Sequence, residues 1–162
     1  MSLVFRSQPA KARVLFIRAV GVLFAAEGSS ELTRRYVWAG LLDNLLVAYP
    51  EVCVVYFREE DEPTMEVLKG RLGRLGHRLM EVLVVDAQAA GIGHAVRAWC
   101  LRHPEVAQTL ALVSGEITMD TPHITFDPRL GMSAGDAQSV LRDWLVGERQ
   151  DVDTSSSRMG VG

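Results

Sequence analysis

Short β-branched and apolar runs alternate with helical patterns along this chain, and that alternation limits its fold more than any other feature. Arg13-Val-Leu-Phe-Ile17 carries no polar interruption after its first residue and reads as a strand buried on both faces. Tyr36 to Tyr49 places Leu41, Leu42, Leu45 and Leu46 on one stripe, the spacing of a helix with one buried side. Val52-Cys-Val-Val-Tyr56 follows as a second strand, entered through Pro50-Glu51. Pro63 suits the first position of a second helix, and Gly76 its end. Glu81-Val-Leu-Val-Val85 reads as a third strand. Gly91 to His103 gives a third helix that Pro104 stops. Thr109-Leu-Ala-Leu-Val113 and the short His123-Ile-Thr-Phe126 complete the strands. Ser133 is placed to cap a last helix, with Asp136 at its N3 position, running to about Val146.

Strands that alternate with helices predict an α/β fold. The expected architecture is a three-layer, Rossmann-like, mostly parallel five-stranded sheet with helices on both faces, because right-handed crossovers cover both. Residues 13–148 form the single expected domain. A flexible N-terminal arm at 1–12 precedes it, and a disordered, polar, Ser-rich tail at 149–162 follows. Ligands of such sheets bind outside the carboxyl ends of the strands, where the strand order reverses. A site should therefore draw on Arg18 to Phe24, Phe57 to Asp61, Asp86 to Gln88 and Ser114 to Asp120.

Composition narrows the function classes. Of 162 residues, 48% are hydrophobic, enough for one core. A net charge of −3, from 20 acidic against 17 basic residues, excludes the strongly basic footprint of a dedicated nucleic-acid binder. It leaves carboxylates from which a metal-dependent site could be built. No apolar stretch reaches the ~18 residues of a membrane span, and the first residues lack the pattern of a secretory leader. Cys53 and Cys100 lie in apolar segments and read as two buried, reduced thiols of a cytosolic, cytoplasmic protein.

Several stretches then fall into a known order. Val14-Leu-Phe-Ile-Arg-Ala-Val-Gly-Val-Leu-Phe24 is an apolar strand followed by a glycine turn. Tyr56-Phe-Arg58 ends the second strand. Gly93-His-Ala-Val-Arg-Ala-Trp-Cys-Leu-Arg-His-Pro104 forms the third helix and its stop. Leu110-Ala-Leu-Val113 and Thr125-Phe-Asp-Pro-Arg-Leu-Gly-Met-Ser133, with Asp136-Ala137 beyond, complete the set. Together, over 13 to about 146, they resemble the haloacid dehalogenase-like (HAD) hydrolases, in the compact branch that includes domains of RNA-repair proteins.

The resemblance implies a chemistry that this chain lacks the groups for. The family uses an aspartate nucleophile at the end of the first strand and a second aspartate two residues on as general acid/base. A Ser or Thr and a Lys or Arg hold the phosphoryl oxygens, and acidic residues after the fourth strand help bind Mg²⁺. Those positions fall here at Arg18, Val20, Val55 or Tyr56, Ile92, and Val113-Ser114. A guanidinium cannot accept a phosphoryl group and repels a divalent cation. Valine cannot exchange a proton. The resemblance therefore implies the scaffold without the reaction: a HAD-like pseudoenzyme that binds a protein partner or a small anion and needs no cofactor. Neither a membrane nor nucleic acid is expected as its partner.

The ligand-binding candidates are Arg18, Arg58, His94, Ser114, Glu116 and Asp120. Arg18 suits a phosphate or carboxylate; its plainer reading is an ion pair with Glu116 or Asp120. Arg58 reads as structural, and His94 as a helix-surface residue. The acidic run Glu59-Glu-Asp-Glu62 reads as a solvated loop that favours the following helix N-terminus. Arg71, Arg74 and Arg78, around Lys69, read as a solvated helix face. Trp38, Trp99 and Trp144 read as core or interface anchors. The alternative enzyme reading is a diverged Mg²⁺-dependent phosphatase whose chemistry moved to Glu116, Asp120, Asp86 or His94. A receiver-like signalling domain is a third class, without the expected strand-end aspartate or lysine loop.

Overall fold

A computed structural model describes residues 13–25, 36–58, 62–84, 89–115 and 119–147. The expected arm at 1–12 and tail at 149–162 lie outside them. Five strands form one sheet: β1 (Arg13–Arg18), β2 (Val52–Arg58), β3 (Leu79–Val84), β4 (Gln108–Ser114) and β5 (His123–Phe126). Their order is β3-β2-β1-β4-β5, and every pairing is parallel. The chain moves outward from β1 to β3, then returns across β1 to β4. The order therefore reverses between β1 and β4.

The helices sort onto the two faces as that path requires. Along β1, Leu15 and Ile17 face one layer, and Val14 and Phe16 the other. On the first face lie α1 (Ala39–Leu46), α2 (Met65–Arg71), a 3₁₀ turn at Gly73–Arg78, and α4 (135–147). They bring Leu42, Leu46, Leu68, Leu75, Leu141 and Leu145 to the core. On the second face, among the described residues, α3 (Ala89–Arg102) packs alone through Ile92, Val96 and Trp99. Phe16 stacks on Phe57 at 5.8 Å and meets Trp99 edge-on at 5.3 Å. Each fully buried Leu or Phe is worth about 1.5–3 kcal/mol over exposure, so both faces contribute to one stable sheet. No helix of the described residues is long and apolar enough to cross a membrane.

Local chemistry moves several element ends. The leucine stripe of α1 buries Leu42 and Leu46, half-buries Leu45 and leaves Leu41 outermost. The expected helix from Pro63 to Gly76 starts instead at Met65 and tightens after Arg71 into the 3₁₀ turn. Gly70, Gly73 and Gly76 lower helix propensity over that stretch. β3 begins at Leu79, whose side chain the core takes up. Ser133 does not cap α4. It lies in a 3₁₀ turn (Gly131–Ser133), where its hydroxyl donates to the Leu130 carbonyl.

Two arginines are built into the frame. Arg13 is buried, donates to the Leu145 carbonyl at 3.0 Å and pairs with Glu51 at 2.5 Å. Its guanidinium also sits over the rings of Tyr49 and Trp144, at 5.6 and 5.1 Å. Arg78 donates to the carbonyls of Leu46, Tyr49 and Val52 at 2.7–2.9 Å, closing the carboxyl end of α1. This corrects the solvated reading for Arg78: carbonyls that α1 cannot satisfy internally draw its guanidinium inward. Arg74 is exposed and pairs with the buried Asp43 at 3.0 Å, while Lys69 and Arg71 face solvent. Trp99 is fully buried, and Trp38 and Trp144 pack half-buried on the first face.

Candidate functional site

The carboxyl ends of β1 and β4 meet where the strand order reverses. The segment after β1 turns at once: Val22 and Leu23 donate their N–H groups to the Ala19 carbonyl, and Gly21 N–H to Phe24 O. Gly21 has φ +78°, a conformation that favours glycine. A Cβ there would stand 2.6 Å from Ser114 Cβ, closer still to its hydroxyl, and 3.2 Å from Pro128 Cα. Ser114 Oγ donates to the Val20 carbonyl at 2.9 Å, tying the end of β4 to the turn. Met132 N–H donates to Val22 O, and Gly115 N–H to Phe126 O. Gly131, φ +46°, leaves room for the Trp38 ring. Ala19, Val22, Leu23, Phe24 and Met132 are all buried. On the first face, apolar side chains thus fill the ground at the switch point.

Arg18 stands apart from that packing. Strand alternation with Val14 and Phe16 puts it on the α3 face, where it is half-buried. The loop after β4 also reaches α3: Met119 Cγ lies 3.8 Å from where a Cβ of Gly93 would sit, and Asp120 pairs with Arg97 at 2.5 Å. Asp120 is therefore paired to Arg97, not to Arg18, because the loop carries it onto the helix. That pair is exposed on both sides, so it adds little stability. His94 is exposed on α3, as expected of a helix-surface residue. Glu116, Asp86 and Glu59 to Asp61 lie outside the described residues.

The other positions at which the resemblance sets catalytic groups are core or border it. Val55, Ile92 and Val113 are fully buried together on the α3 face. Each was expected at the ligand edge. The structure places Val55 in mid-strand, Val113 one residue before the end of β4, and Ile92 inward on the first turn of α3. Val20 is half-buried against the first-face core. Arg58 points to the opposite face from Arg18, and its Nε donates to the Pro63 carbonyl at 2.9 Å, a structural use. Of the six candidates, five lie among the described residues, and no hydrogen bond or ion pair joins any two of those five.

Sequence reading missed one cluster at this end of the sheet. Glu62, expected in a solvated run, is buried. Its Oε2 accepts a hydrogen bond from Tyr36 Oη at 2.8 Å and a second from Tyr56 Oη. Burial, then the neighbouring Glu62 charge and Tyr36, push the Tyr56 phenol well above its usual range. Tyr36 itself sits at φ +67°, a strained backbone for a tyrosine. The only signal was Tyr56, a hydroxyl-bearing ring at an inward strand position that needs a partner. Nothing in the spacing linked it to residues 20 and 6 positions away. The cysteines depart from expectation in burial alone: both are half-buried, and both are free, as reduced thiols are. Burial pushes the Cys53 thiol up, partly opposed by the Arg78 charge.

Among the described residues, no three His, Cys, Asp or Glu side chains are grouped to hold a metal ion. Comparison with protein-family models, with curated proteins and with solved structures returned no match.

Proposed function

We propose that this chain is a HAD-like domain without hydrolytic chemistry, which binds a small anion at Arg18. One observation carries the reading: a half-buried guanidinium ends β1 at the strand-order switch point, on the sheet face against which α3 packs. A fixed arginine there suits a phosphate or carboxylate group. The all-parallel sheet supports the scaffold half of the proposal, since it is the architecture the resemblance implies.

The donor set does not fit Mg²⁺. Arg18 stands at the nucleophile position and would repel the ion. Val20 offers no oxygen from its side chain, and its carbonyl accepts from Ser114. Val113 is apolar and buried, and Asp120 already holds a guanidinium. No step is derived through the metal. The same arrangement disfavours a relocated phosphatase, because metal ligation would have to break the Arg97 pair. Two free thiols support a reducing, cytosolic setting.

The test is a titration of the full chain with inorganic phosphate and pyrophosphate, followed by calorimetry and melting temperature. Saturable binding raises the melting temperature by mass action. Arg18→Ala abolishes that rise, and Arg58→Ala retains it. Mg²⁺-dependent turnover of an aryl phosphate that Arg18→Ala abolishes would overturn the reading, as would anion binding indifferent to Arg18.

A further inference from the structure

We propose that the cavity between the carboxyl end of α1 and the 3₁₀ turn at Gly73–Arg78 binds the carboxylate of a small organic acid. The cavity measures about 360 Å³ and is lined by Asp43, Val47, Pro50, Arg74, His77 and Arg78. It lies on the first face, beside the amino ends of β2 and β3. Arg18 stands at the opposite end of the parallel sheet and on its other face, so the two sites are independent.

The two arginines of the cavity are held in different ways. Arg78 is fixed from inside the protein. Its Nη1 donates to the Tyr49 and Val52 carbonyls, both at 2.9 Å, and its Nη2 to the Leu46 carbonyl at 2.7 Å. A guanidinium carries five N–H groups, so these bonds use three of them. The other two have no acceptor among the described residues. Its carbonyl partners are neutral, so the charge beside the cavity is not cancelled by them. Arg74 is held at one corner only. Its Nη2 lies 3.0 Å from Asp43 Oδ2, and its side chain is 72% exposed against 11% for the aspartate. The buried carboxylate thus anchors a guanidinium that otherwise faces water. An anchored side chain loses less freedom on taking a ligand than a free one does.

Charge selects the class of ligand. Two guanidiniums and one carboxylate line the cavity, a surplus of one positive charge. A monoanion balances that surplus, whereas a dianionic phosphate exceeds it and meets the Asp43 charge. A carboxylate also matches the planar fork of a guanidinium. Val47 and Pro50 supply an apolar wall, and Val47 is left 64% exposed to water. Covering it favours an acid with an apolar body. The volume lies at the small end of the range for ligand sites, which suits one ring bearing one carboxylate.

The probe is benzoate, titrated into the full chain and followed by calorimetry and amide NMR. Saturable binding with a Kd of about 1–10 mM is expected for so small a ligand. Amide signals of 43–50 and 74–78 should move together, and those of 18–24 should stay. Arg74 is tested in a background that leaves no buried charge unpaired. Asp43→Asn/Arg74→Gln should bind benzoate about tenfold more weakly than Asp43→Asn alone, the loss expected of a charge-assisted hydrogen bond. Val47→Glu changes an exposed position, so the chain stays folded, and it should abolish binding. Inorganic phosphate should move the same amides less than benzoate does. Shifts confined to 18–24, no saturable binding, a double variant as tight as the single one, binding that survives Val47→Glu, or larger shifts with phosphate would each overturn the proposal.

Discussion

Glu62 shows how a single side chain can decide the shape of a loop end. A carboxylate taken out of water needs donors, and it finds two phenols. Tyr36 belongs to the turn before α1 and Tyr56 to β2, so the bond network joins the returns from two strands at one point. Tyr56→Phe should lower stability by about 1–3 kcal/mol, because Glu62 stays buried with one donor fewer. The same residue gives a pH dependence with a definite sign. Its folded-state value is raised above the ordinary value of 10.0. Its contribution is therefore whole below pH 10 and is lost as pH rises beyond it, when the unfolded phenol ionises and the folded one does not. Urea unfolding between pH 9 and 11.5 should show that decline, and Tyr56→Phe should flatten it. None of this was legible beforehand. An acidic run beside a proline looks solvated whether or not two tyrosines come to meet it. Which tyrosine meets which acid depends on where the sheet sets them.

At the scale of elements, the strands were the most legible part. A strand buried on both faces must be apolar throughout, and β1, β2 and β4 announce themselves that way. β5 falls at its expected residues, His123–Phe126. Helix ends were harder to read, because they answer to contacts rather than to pattern. Ser133 had the right spacing for a cap, yet a 3₁₀ turn uses its hydroxyl for Leu130. Arg78 had the spacing of a solvated face, yet α1 needed a donor at its carboxyl end. Arg13 performs the matching service for α4 through the Leu145 carbonyl and the Trp144 ring. Replacing it with leucine should cost about 2–4 kcal/mol and loosen α4 first, since the Glu51 carboxylate loses this guanidinium and the Leu145 carbonyl its donor. Hydrogen exchange should report faster opening across 135–147 than across α1. Arg13→Lys should restore less than half of the loss, because an ammonium cannot serve carbonyl, carboxylate and two rings together.

Across the whole molecule, the two core clusters are back to back. One set of strands serves both, Leu15 and Ile17 to one side, Val14 and Phe16 to the other. Unfolding should therefore be a single transition. Guanidinium curves followed at Trp99 alone and at Trp144 alone, in variants with the other tryptophans changed to phenylalanine, should share one midpoint; a split would separate α3 from the rest. The candidate site was legible only in part. Arg18 was placed at the end of β1 by the strand pattern itself, but Val55, Ile92 and Val113 could be told from surface residues only once strand ends and helix rotation were known. Finally, the contact between Gly21 and Ser114 bears on how this sequence can drift. A methyl group added at Gly21 overlaps the serine Cβ and hydroxyl alike, so trimming the hydroxyl alone does not clear the space. The constraint runs one way: position 114 can change while Gly21 stays, but Gly21 cannot gain a side chain while any Cβ stands at 114, and its φ of +78° and the Pro128 backbone oppose one even then, so in a lineage of this chain the glycine is the fixed member of the pair.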